Sequence, residues 1–550
     1  MTLSRRLVDV LVGVPHQAGG LADISVKGIA CHPNHVREGW VFVACGLPWA
    51  PPIAEGIRFA QGRSPAAIVT DEPVLANGWG GPLISVNEAT KAYSAMCANF
   101  FGNPARQMTC IAITGTKGKT TTSHLLAGIL RAAGKRVGLI SSAVRSTGSR
   151  DLRASSTTPE PWDLHLLLSE MVFAGVTHVV LELSSIGIAE GRTHGMAFDA
   201  VAITNLGRDH LKYHGGEANY HATKVRVFTD ASFWRDSVPP IRVLSVDDAR
   251  VAAHQGEITG ASIGVGISGG TFRPDEVRLG KLGTQFRFGD VEVVSSLVGQ
   301  HNASNIMTAV AVARAMGVSW AGIAHGVAST RPIPGRLEKV VTVGHNQADA
   351  YVDYAHTVES VRAVLEAGQI LADGRGIVVV LGCGGGGDRS KRSGMLREAM
   401  SKARLVIVTS DNPRREEPLE IVRDMTEGLP VQNLVDGGRL TIQLDRRAAI
   451  AHAVEVSGPD DVLFILGKGD ESVQIVGDVA TPFDDRMVLR EEIARAALCQ
   501  SARPLPSTLL EPPNSLQPLS NEDRPPTMNA NERNQMKCNV CRNVHDADSG

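Results

Sequence analysis

Residues 111–126 read IAITGTKGKTTTSHLL and join an apolar run, a short Gly-rich loop and a helical pattern. Gly115 and Gly118 allow the backbone to wrap closely around a phosphate group and to point N–H groups at it. Lys119 stands where a lysine reaches the terminal phosphates of a nucleotide, and the hydroxyl of Thr120 or Thr121 would bind Mg²⁺. A Gly-rich turn between a strand and a helix can also exist without a ligand, but the GKTT sequence favours nucleotide binding.

A carboxylate at the end of a buried strand is a second candidate for chemistry. Glu182 follows the apolar segment HVVLEL, a natural place for a carboxylate that binds Mg²⁺, since this cation prefers oxygen ligands. A helix cap or a surface acid is the alternative interpretation of Glu182.

The elements that must position these residues alternate between strands and helices. Within 108–330, the segments TCIAITG, RVGLIS, THVVLELSS and DAVAITNL are separated by helical patterns, which predicts βαβ units and a mainly parallel sheet. After the Pro- and Gly-containing joint RPIPGRLEKV, the segments ADAYVDYAH, GIVVVLGCG, ARLVIVTSDNP and DDVLFILGKGD predict a second α/β block. The predicted organisation is an N-terminal domain at 1–107, a central domain at 108–330, a C-terminal domain at 331–496 and a Pro- and Ser-rich disordered tail at 497–550.

The composition narrows the class of protein. The chain has 550 residues, 43% of them hydrophobic, and a formal net charge of -2, so its overall charge predicts neither nucleic-acid nor membrane binding. We find no signal peptide and no run of about 18 apolar residues. The eight cysteines are mostly scattered, as in a reduced cytoplasmic protein. In the tail, Cys538, Cys541 and His545 could form half a zinc site, but without a second pair we interpret them as incidental.

A set of motifs along 108–496 occurs in one particular order. They are TGTKGKTTT, SSTTPEPWDL, LELSSIGIAEGRTHG, NLGRDHLKYHG, HATKVRVF, GQHNASNIMTA, PIPGRLEKV, DYAHT, TSDNPR, GKGDES and PFDDRMV. As a set they resemble the Mur ligase family, and within it the branch that adds the third amino acid of the peptidoglycan stem. The resemblance implies a small α/β domain that binds a UDP-linked substrate, a central P-loop domain with a parallel sheet, and a Rossmann-like C-terminal domain.

The resemblance also implies roles for individual residues. The ATP-binding set is Gly115, Thr116, Lys117, Gly118, Lys119, Thr120, Thr121, Asn302, Arg336 and Asp353, with Asn305 close by. The catalytic set is Lys119, Lys224 and His210, and the Mg²⁺ set is Thr120, Glu182, His210 and Lys224, in which Lys224 is carbamylated. The substrate-binding set is Thr157, Thr158, Ser184, Arg192, Arg389, Asp411, Asn412, Pro413, Arg414, Gly467 and Glu471.

Some of these residues have ordinary structural alternatives. A histidine such as His210 can be a structural residue, and Lys224 can be an exposed lysine on a helix. His356, in the DYAHT motif, can serve as a helix cap instead of a site residue. DNPR alone can be a turn with a surface arginine.

The implied activity is that of an ATP-dependent amide ligase of peptidoglycan precursor synthesis, and hence of cell-wall biogenesis, cell shape and cell division. Such an enzyme phosphorylates a carboxylate to give an acyl phosphate, which an amine then attacks; the protein supplies positioning and cations. The expected substrates are ATP, UDP-N-acetylmuramoyl-L-alanyl-D-glutamate and meso-diaminopimelate, handled by a cytoplasmic monomer. The alternatives are a divergent ligase of the family that joins another acid and amine, and a nucleotide-binding regulator that has lost ligation.

The chain departs from the family pattern at both substrate ends. Lys117 replaces the usual asparagine of the loop, and Asp470 replaces the histidine of GKGHE. Gly387 stands where an arginine contacts diaminopimelate in relatives, and Arg389 is the expected substitute. The N-terminal segment has His32-Pro33-Asn34 in place of Asp-Ser-Arg, so the end that recognises the UDP part in relatives is altered here. Two smaller departures are Glu190 in place of glutamine and Ile186 in place of histidine.

Overall fold

The structure is a computed structural model that describes residues 3–18, 23–340 and 348–501, with the backbone alone described at 499–501. The described residues up to Leu498 form one compact unit. The predicted tail and its Cys538, Cys541 and His545 lie outside the described residues, apart from the first few positions of the tail.

The N-terminal block is built on a mostly parallel sheet. Its elements are β1 (Arg5–Arg6), α1 (Leu7–Val10), β2 (His16–Gln17), β3 (Ser25–Val26), β4 (Gly28–Ala30), β5 (Trp40–Ala44), α2 (Ile53–Gln61), β6 (Ala67–Thr70), β7 (Leu83–Val86) and α3 (Ala89–Phe100). The strand order is β2-β7-β6-β5-β4, with β4 to β7 parallel and β2 antiparallel to β7. The runs in β5 and β6 are buried and apolar, as expected for strands covered on both faces.

The central block contains the predicted strand–helix alternation. Its elements are β8 (Thr109–Thr114), α4 (Lys119–Ala132), β9 (Val137–Ile140), β10 (Val144–Ser146), β11 (Asp151–Arg153), α5 (Pro161–Phe173), β12 (His178–Glu182), α6 (Ser185–Ala189), β13 (Ala200–Ile203), α7 (Leu211–His214), α8 (Glu217–Thr229), β14 (Ile241–Ser245), α9 (Ala249–Ala253), β15 (Ile263–Val265), β16 (Glu276–Gly280), β17 (Gly283–Phe288), β18 (Val291–Ser295), α10 (Gln300–Ala315) and α11 (Trp320–Ala328). The large sheet has the order β11-β10-β9-β12-β8-β13-β14-β15. The six strands β9-β12-β8-β13-β14-β15 are parallel. Strands β10 and β11 add an antiparallel hairpin at the edge beside β9.

A small antiparallel sheet, β16-β17-β18, lies beside the large one. Phe288 of β17 stacks on Trp320 of α11 with ring centroids 4.7 Å apart. Sequence reasoning did not predict this sheet, because its strands are short and half exposed.

The C-terminal block repeats the parallel α/β pattern. Its elements are β19 (Glu338–Val340), β20 (Asp349–Asp353), α12 (Val358–Ala372), β21 (Gly376–Cys383), α13 (Arg392–Lys402), β22 (Leu405–Ser410), α14 (Pro418–Thr426), α15 (Val431–Asp436), β23 (Leu440–Ile442), α16 (Arg446–Val456), β24 (Asp461–Leu466), β25 (Val473–Val476), β26 (Val479–Pro482) and α17 (Asp485–Ser501). The sheet order is β19-β20-β24-β21-β22-β23, and only β19 is antiparallel to its neighbour. Helix α17 ends at Ser501, a few residues into the segment that the sequence predicts to be disordered.

The predicted α/β class with parallel-sheet domains is confirmed. Parallel strands place their carboxyl ends at the same edge of a sheet, and ligands bind in the crevice there. In the central sheet β8 and β12 are neighbours, with Ile113 opposite Glu182. The phosphate loop after β8 and the carboxylate at the end of β12 therefore lie at the same edge.

Candidate functional site

The phosphate loop occupies the turn between β8 and α4. Gly115 has φ +138° and Gly118 has φ +81°, both in the region that favours glycine. A Cβ at position 118 would lie 2.1 Å from the Asn305 side-chain oxygen, and one at 115 would lie 2.0 Å from the Thr204 hydroxyl. Both glycines are thus required by backbone conformation and by close packing.

Two lysine ammonium groups converge on this loop. Lys119 Nζ donates to the carbonyl oxygens of Gly115, at 3.1 Å, and Thr116, at 3.0 Å. Lys224 Nζ, from helix α8, donates to the same Gly115 oxygen at 2.8 Å. Two lysine side chains therefore meet at the same carbonyl oxygen of the loop.

Lys224 is buried, with 1% of its surface exposed, so it is not the exposed helix lysine of the alternative interpretation. Burial lowers the pKa of its ammonium group well below the usual value, and the neighbouring Lys119 lowers it further. Its ammonium also lies 5.0 Å from the centre of the Tyr220 ring. The surroundings of Lys224 favour the neutral amine.

Glu182 is fully buried, which excludes a surface acid, and the helix cap that follows it is the Ser184 side chain. Its carboxylate accepts from the Ser142 N–H at 3.0 Å and lies 3.5 Å from the Ser142 hydroxyl. That hydroxyl is 2.9 Å from the Thr120 hydroxyl. Burial raises the pKa of Glu182, while Lys119 opposes the shift. Ser142 was not predicted as a site residue, because it follows β9 without any recognisable motif.

His210, the other residue expected to bind Mg²⁺ with Glu182, has its own surroundings. It has a left-handed backbone conformation, φ +49°, just before α7, and its ring lies 3.8 Å from the Asp209 carboxylate. Burial lowers the pKa of His210, against the effect of Asp209. The Glu182 carboxylate accepts from Ser142, and in the described part of the chain the His210 ring is not hydrogen-bonded to that carboxylate.

Lys117, the unusual residue of the loop, is held through its backbone and its side chain. Its N–H donates to the Asn205 side chain at 2.9 Å, and its carbonyl accepts from the Thr204 hydroxyl at 2.6 Å. Its ammonium lies 3.6 Å from Asp209. Burial lowers the pKa of Lys117 to about 8, although Asp209 opposes the shift. The loop tip is thereby tied to the segment that carries His210.

The remaining expected nucleotide contacts lie around the loop. On α10, the Asn305 amide donates to the Asn302 side chain at 3.3 Å, and both residues are buried. Thr116 Oγ1 accepts from the Gly207 N–H at 2.7 Å, and Thr121 is buried within α4.

Residues after the domain joint also reach this site. Arg336 donates to the Asp470 carboxylate at 2.8 Å and lies over the Tyr354 ring at 4.5 Å. Its second terminal nitrogen lies 3.5 Å from the Ser142 hydroxyl. Asp353, at the end of β20, accepts from the Leu337 N–H at 2.7 Å, and burial raises its pKa to about 6.

A cavity of about 1270 Å³ opens between the segments around His210 and the C-terminal block. Its lining includes His210, His356, Arg389, Asp411, Asn412, Arg414, Gly467 and Glu471. His356 is not a helix cap, because Thr357 and Ser360 form the capping box of α12.

The DNPR and GKGDE motifs meet at this cavity. The Asn412 amide donates to Glu471 at 2.7 Å, and the Arg414 guanidinium donates to the Gly385 carbonyl at 2.7 Å. A Cβ at Gly467 would lie 2.5 Å from the Asp411 carboxylate, so Asp411 packs closely on that glycine. Pro413 is buried.

Arg389, the expected substitute for the missing arginine at Gly387, lines the cavity. Its guanidinium pairs with Glu416 at 2.8 Å and is 58% exposed. Glu416 also binds the buried Arg392 at 2.9 Å. Arg389 can therefore leave Glu416 for a ligand without leaving that carboxylate unpaired.

The expected muramoyl-peptide residues form a second cluster near Glu182. The Thr158 hydroxyl donates to the Glu182 carbonyl and accepts from the Ser184 N–H, both at 2.9 Å. Arg192 donates to the Thr158 carbonyl at 2.8 Å and pairs with Glu190 at 2.6 Å. Thr157 is half-buried beside them.

The altered N-terminal segment has a local structural role. The His32 ring accepts from the Asn34 N–H at 3.2 Å and caps the short helical turn that begins at Pro33. The same ring stacks on Trp49 at 6.3 Å, and the Trp49 indole donates to Glu190 at 3.2 Å. The unusual Glu190 is thus bound to the N-terminal block.

The oxygen donors fit the Mg²⁺ ion that the resemblance implies. Glu182 and the hydroxyls of Thr120 and Ser142 converge, and hard cations prefer such oxygens. Within the described ranges, no group of three or more His, Cys, Asp or Glu side chains is placed to hold a metal ion. Bound phosphate oxygens would have to complete the coordination, as is usual for Mg²⁺.

Comparison with known proteins assigns the class. Residues 113–313 match the Mur ligase middle domain, and residues 335–469 match the Mur ligase, glutamate ligase domain. The chain belongs to the Mur ligase family, whose members are ATP-dependent ligases.

The names of individual relatives are more specific than the family. One from Geobacillus thermodenitrificans, named UDP-N-acetylmuramoyl-L-alanyl-D-glutamate–2,6-diaminopimelate ligase, is 37% identical over 88% of this chain and 98% of its own. A relative of the same name from Aquifex aeolicus is 33% identical over 85% of this chain and 93% of its own. A solved structure of a ligase of that name is 25% identical, with a TM-score of 0.59, over 87% of this chain and 97% of its own.

Among the helices in the described part of the chain, none is both long and apolar enough to span a bilayer.

Proposed function

We propose that the chain joins meso-diaminopimelate to UDP-N-acetylmuramoyl-L-alanyl-D-glutamate, converting ATP to ADP and phosphate. The observation that carries the proposal is the convergence of Lys119, Lys224 and Glu182 at one sheet edge, beside the cavity that the DNPR motif lines. The names of relatives that cover nearly the whole chain support the choice of substrates.

The reaction needs two anions, a γ-phosphate and a carboxylate, to approach each other. The loop N–H groups, the Lys119 ammonium and the Arg336 guanidinium offset their repulsion and hold the phosphate in line with the carboxylate. Phosphoryl transfer gives an acyl phosphate, whose carbonyl carbon the neutral amine of the diamino acid attacks. The tetrahedral intermediate then expels phosphate and leaves the amide.

The Mg²⁺ ion belongs to this proposal. Thr120 and Glu182, with Ser142, would hold it, and His210 would join them after a movement of its segment. When bound, the ion supplies positive charge that screens the phosphate oxygens from the incoming carboxylate.

Lys224 would be carbamylated in the working enzyme. Its neutral amine adds to CO₂ through a new N–C bond and releases one proton, which turns the uncharged amine into a carbamate anion beside the loop. The buried surroundings of Lys224 support this step, because only the uncharged amine is a nucleophile. The new carboxylate would be a further oxygen ligand for Mg²⁺.

The diamino acid would occupy the large cavity. Its distal carboxylate suits the planar forks of Arg414 and Arg389, and its distal ammonium suits Asp411 and Glu471. The UDP-linked carboxylate would enter from the side of Thr157, Thr158, Ser184 and Arg192. ATP would bind between the loop, Asn302, Asn305 and Asp353. Location in the cytoplasm and a monomeric state remain predictions.

The direct test is incubation with ATP, the UDP-dipeptide and meso-diaminopimelate, with ADP release and product mass as readouts. We expect ADP release that depends on both acceptors and a product larger than the dipeptide by one diaminopimelate residue. K119A should abolish turnover, whereas K135A, which alters an exposed lysine after α4, should not. ADP release that is unaffected by omission of the UDP-dipeptide would contradict the proposal.

The amino acid is tested separately, because Gly387 and Asp470 differ from the usual pattern. A panel of diaminopimelate, lysine and ornithine should give product with diaminopimelate alone. R414A should raise the KM for diaminopimelate and leave the KM for ATP unchanged. An unchanged KM for diaminopimelate would mean that Arg414 does not read its carboxylate.

A further inference from the structure

Asp470 replaces a histidine of the usual motif, and the structure places it at the nucleotide side of the GKGDE segment rather than in the amino-acid cavity. Its carboxylate accepts from Arg336 Nη1 at 2.8 Å. Both side chains are largely buried, 17% exposed for Arg336 and 15% for Asp470. The pair therefore lies in surroundings where a charge-assisted hydrogen bond is strong.

Backbone packing makes this arrangement specific. A Cβ at Gly335 would lie 2.1 Å from the Asp470 backbone nitrogen, and one at Gly469 would lie 2.8 Å from the Gly335 carbonyl oxygen. The two segments thus touch through glycines on both sides. The backbone of Asp470 is therefore held against Gly335, the residue next to Arg336.

Arg336 connects this pair to the phosphate site. Its other terminal nitrogen lies 3.5 Å from the Ser142 hydroxyl, and the Ser142 N–H donates to Glu182 at 3.0 Å. Besides Asp470, the carboxylates that act on Arg336 are Asp353 and Glu182. Both of these are needed for ligands under the proposed function. If Asp470 were neutral, Arg336 would be drawn toward one of them.

We infer that Asp470 is a positioning residue that holds the Arg336 guanidinium toward the nucleotide phosphates and away from Asp353 and Glu182. This inference rests on the proposed function, in which Arg336 contacts ATP. It also makes one segment serve both substrates, because Glu471, the next residue, faces the amino-acid cavity.

The test measures binding of the non-hydrolysable nucleotide AMP-PNP by calorimetry in the full chain. D470N removes the charge with little change in shape, so it should weaken AMP-PNP about 10-fold, the effect of losing one charged hydrogen bond. D470E should restore most of the affinity. The matched control is D478N. Asp478 lies on the neighbouring β25–β26 hairpin and forms an exposed ion pair with Arg415, so D478N should bind AMP-PNP as the wild type does.

A double-variant comparison separates positioning from general structure. In the R336A background, D470N should weaken binding by less than about 2-fold, because the residue it positions is gone. An equal loss with and without Arg336 would overturn the inference, and so would wild-type affinity in D470N. If R336A itself binds AMP-PNP normally, the proposed nucleotide contact of Arg336 is wrong; if only D470N is neutral, the inference alone is wrong.

Discussion

Gly118 offers a direct test of the phosphate-loop geometry. Its φ is +81°, and a Cβ there would lie 2.1 Å from the buried Asn305 side-chain oxygen. Gly134, just beyond the other end of α4, has φ +78° and no atom within 4 Å of a Cβ. Alanine therefore brings about 1–2 kcal/mol of left-handed strain at either position. Only G118A also forces a buried amide to move.

The clash sets the expected difference between the two variants. Overpacking at 118 adds about 1–3 kcal/mol, so G118A should destabilise the chain by about 2–5 kcal/mol. The loop also carries Lys119, and a shift of about 1 Å at a reacting group lowers the rate by about 100-fold. We expect ATP turnover to fall by about that factor in G118A and to stay near the wild-type value in G134A.

The assay combines steady-state ADP release with thermal melts of both variants. N305A and the double variant G118A/N305A complete the set, since the clash exists only while the Asn305 amide is present. The double variant should lower the melting temperature by less than the sum of the decreases caused by G118A and N305A. If G118A keeps the turnover of G134A, the loop does not need this close packing, and the reasoning from the Cβ distance fails.

Three further changes test other parts of the site and fold. K224A should lose most ATP turnover and regain part of it with added short carboxylates, with K135A as control; full activity without rescue would refute the carbamate role. Burial raises the pKa of Asp353 to about 6, so the native state holds the proton of this carboxyl more tightly than the unfolded chain does. The stability of the wild type relative to D353N should therefore be highest below about pH 4 and fall by up to ~3 kcal/mol as the pH rises through 6. A stability difference in denaturant unfolding that does not change with pH would contradict this. Arg446 and Asp485 form a fully buried ion pair at 2.6 Å; R446A should lower the free energy of unfolding by about 3–5 kcal/mol, whereas R415A, in an exposed pair, should change it by less than about 1 kcal/mol.

The positions of the two strands that carry the site, β8 and β12, were largely predictable from the sequence. The segments before Gly115 and around Glu182 are apolar runs at the length of buried strands, and the loop chemistry fixes where the first strand ends. The structure confirms the α/β class on this basis. The small sheet formed by β16, β17 and β18 was not predicted, because a half-exposed meander has no strong periodic signal.

Site residues were predictable from the sequence where a local motif indicates their role. They were not predictable where the role depends on a contact with a residue distant in the sequence. Ser142 illustrates the second case: nothing around it in the sequence marks a ligand, yet the turn after β9 places it between Thr120 and Glu182. His210 illustrates a limit of motif reading, since the structure pairs its segment with Lys117 through Asp209.

By itself, the sequence determined the phosphate loop, the order of the motifs and therefore the reaction class, because these depend on local spacing and on side-chain chemistry. Tertiary structure decided which charges face each other. The burial of Lys224 and its contact with Gly115, and the pairing of Asp470 with Arg336, join residues more than 100 positions apart. Such contacts arise from the packing of whole sheets and helices, and local patterns contain no information about them.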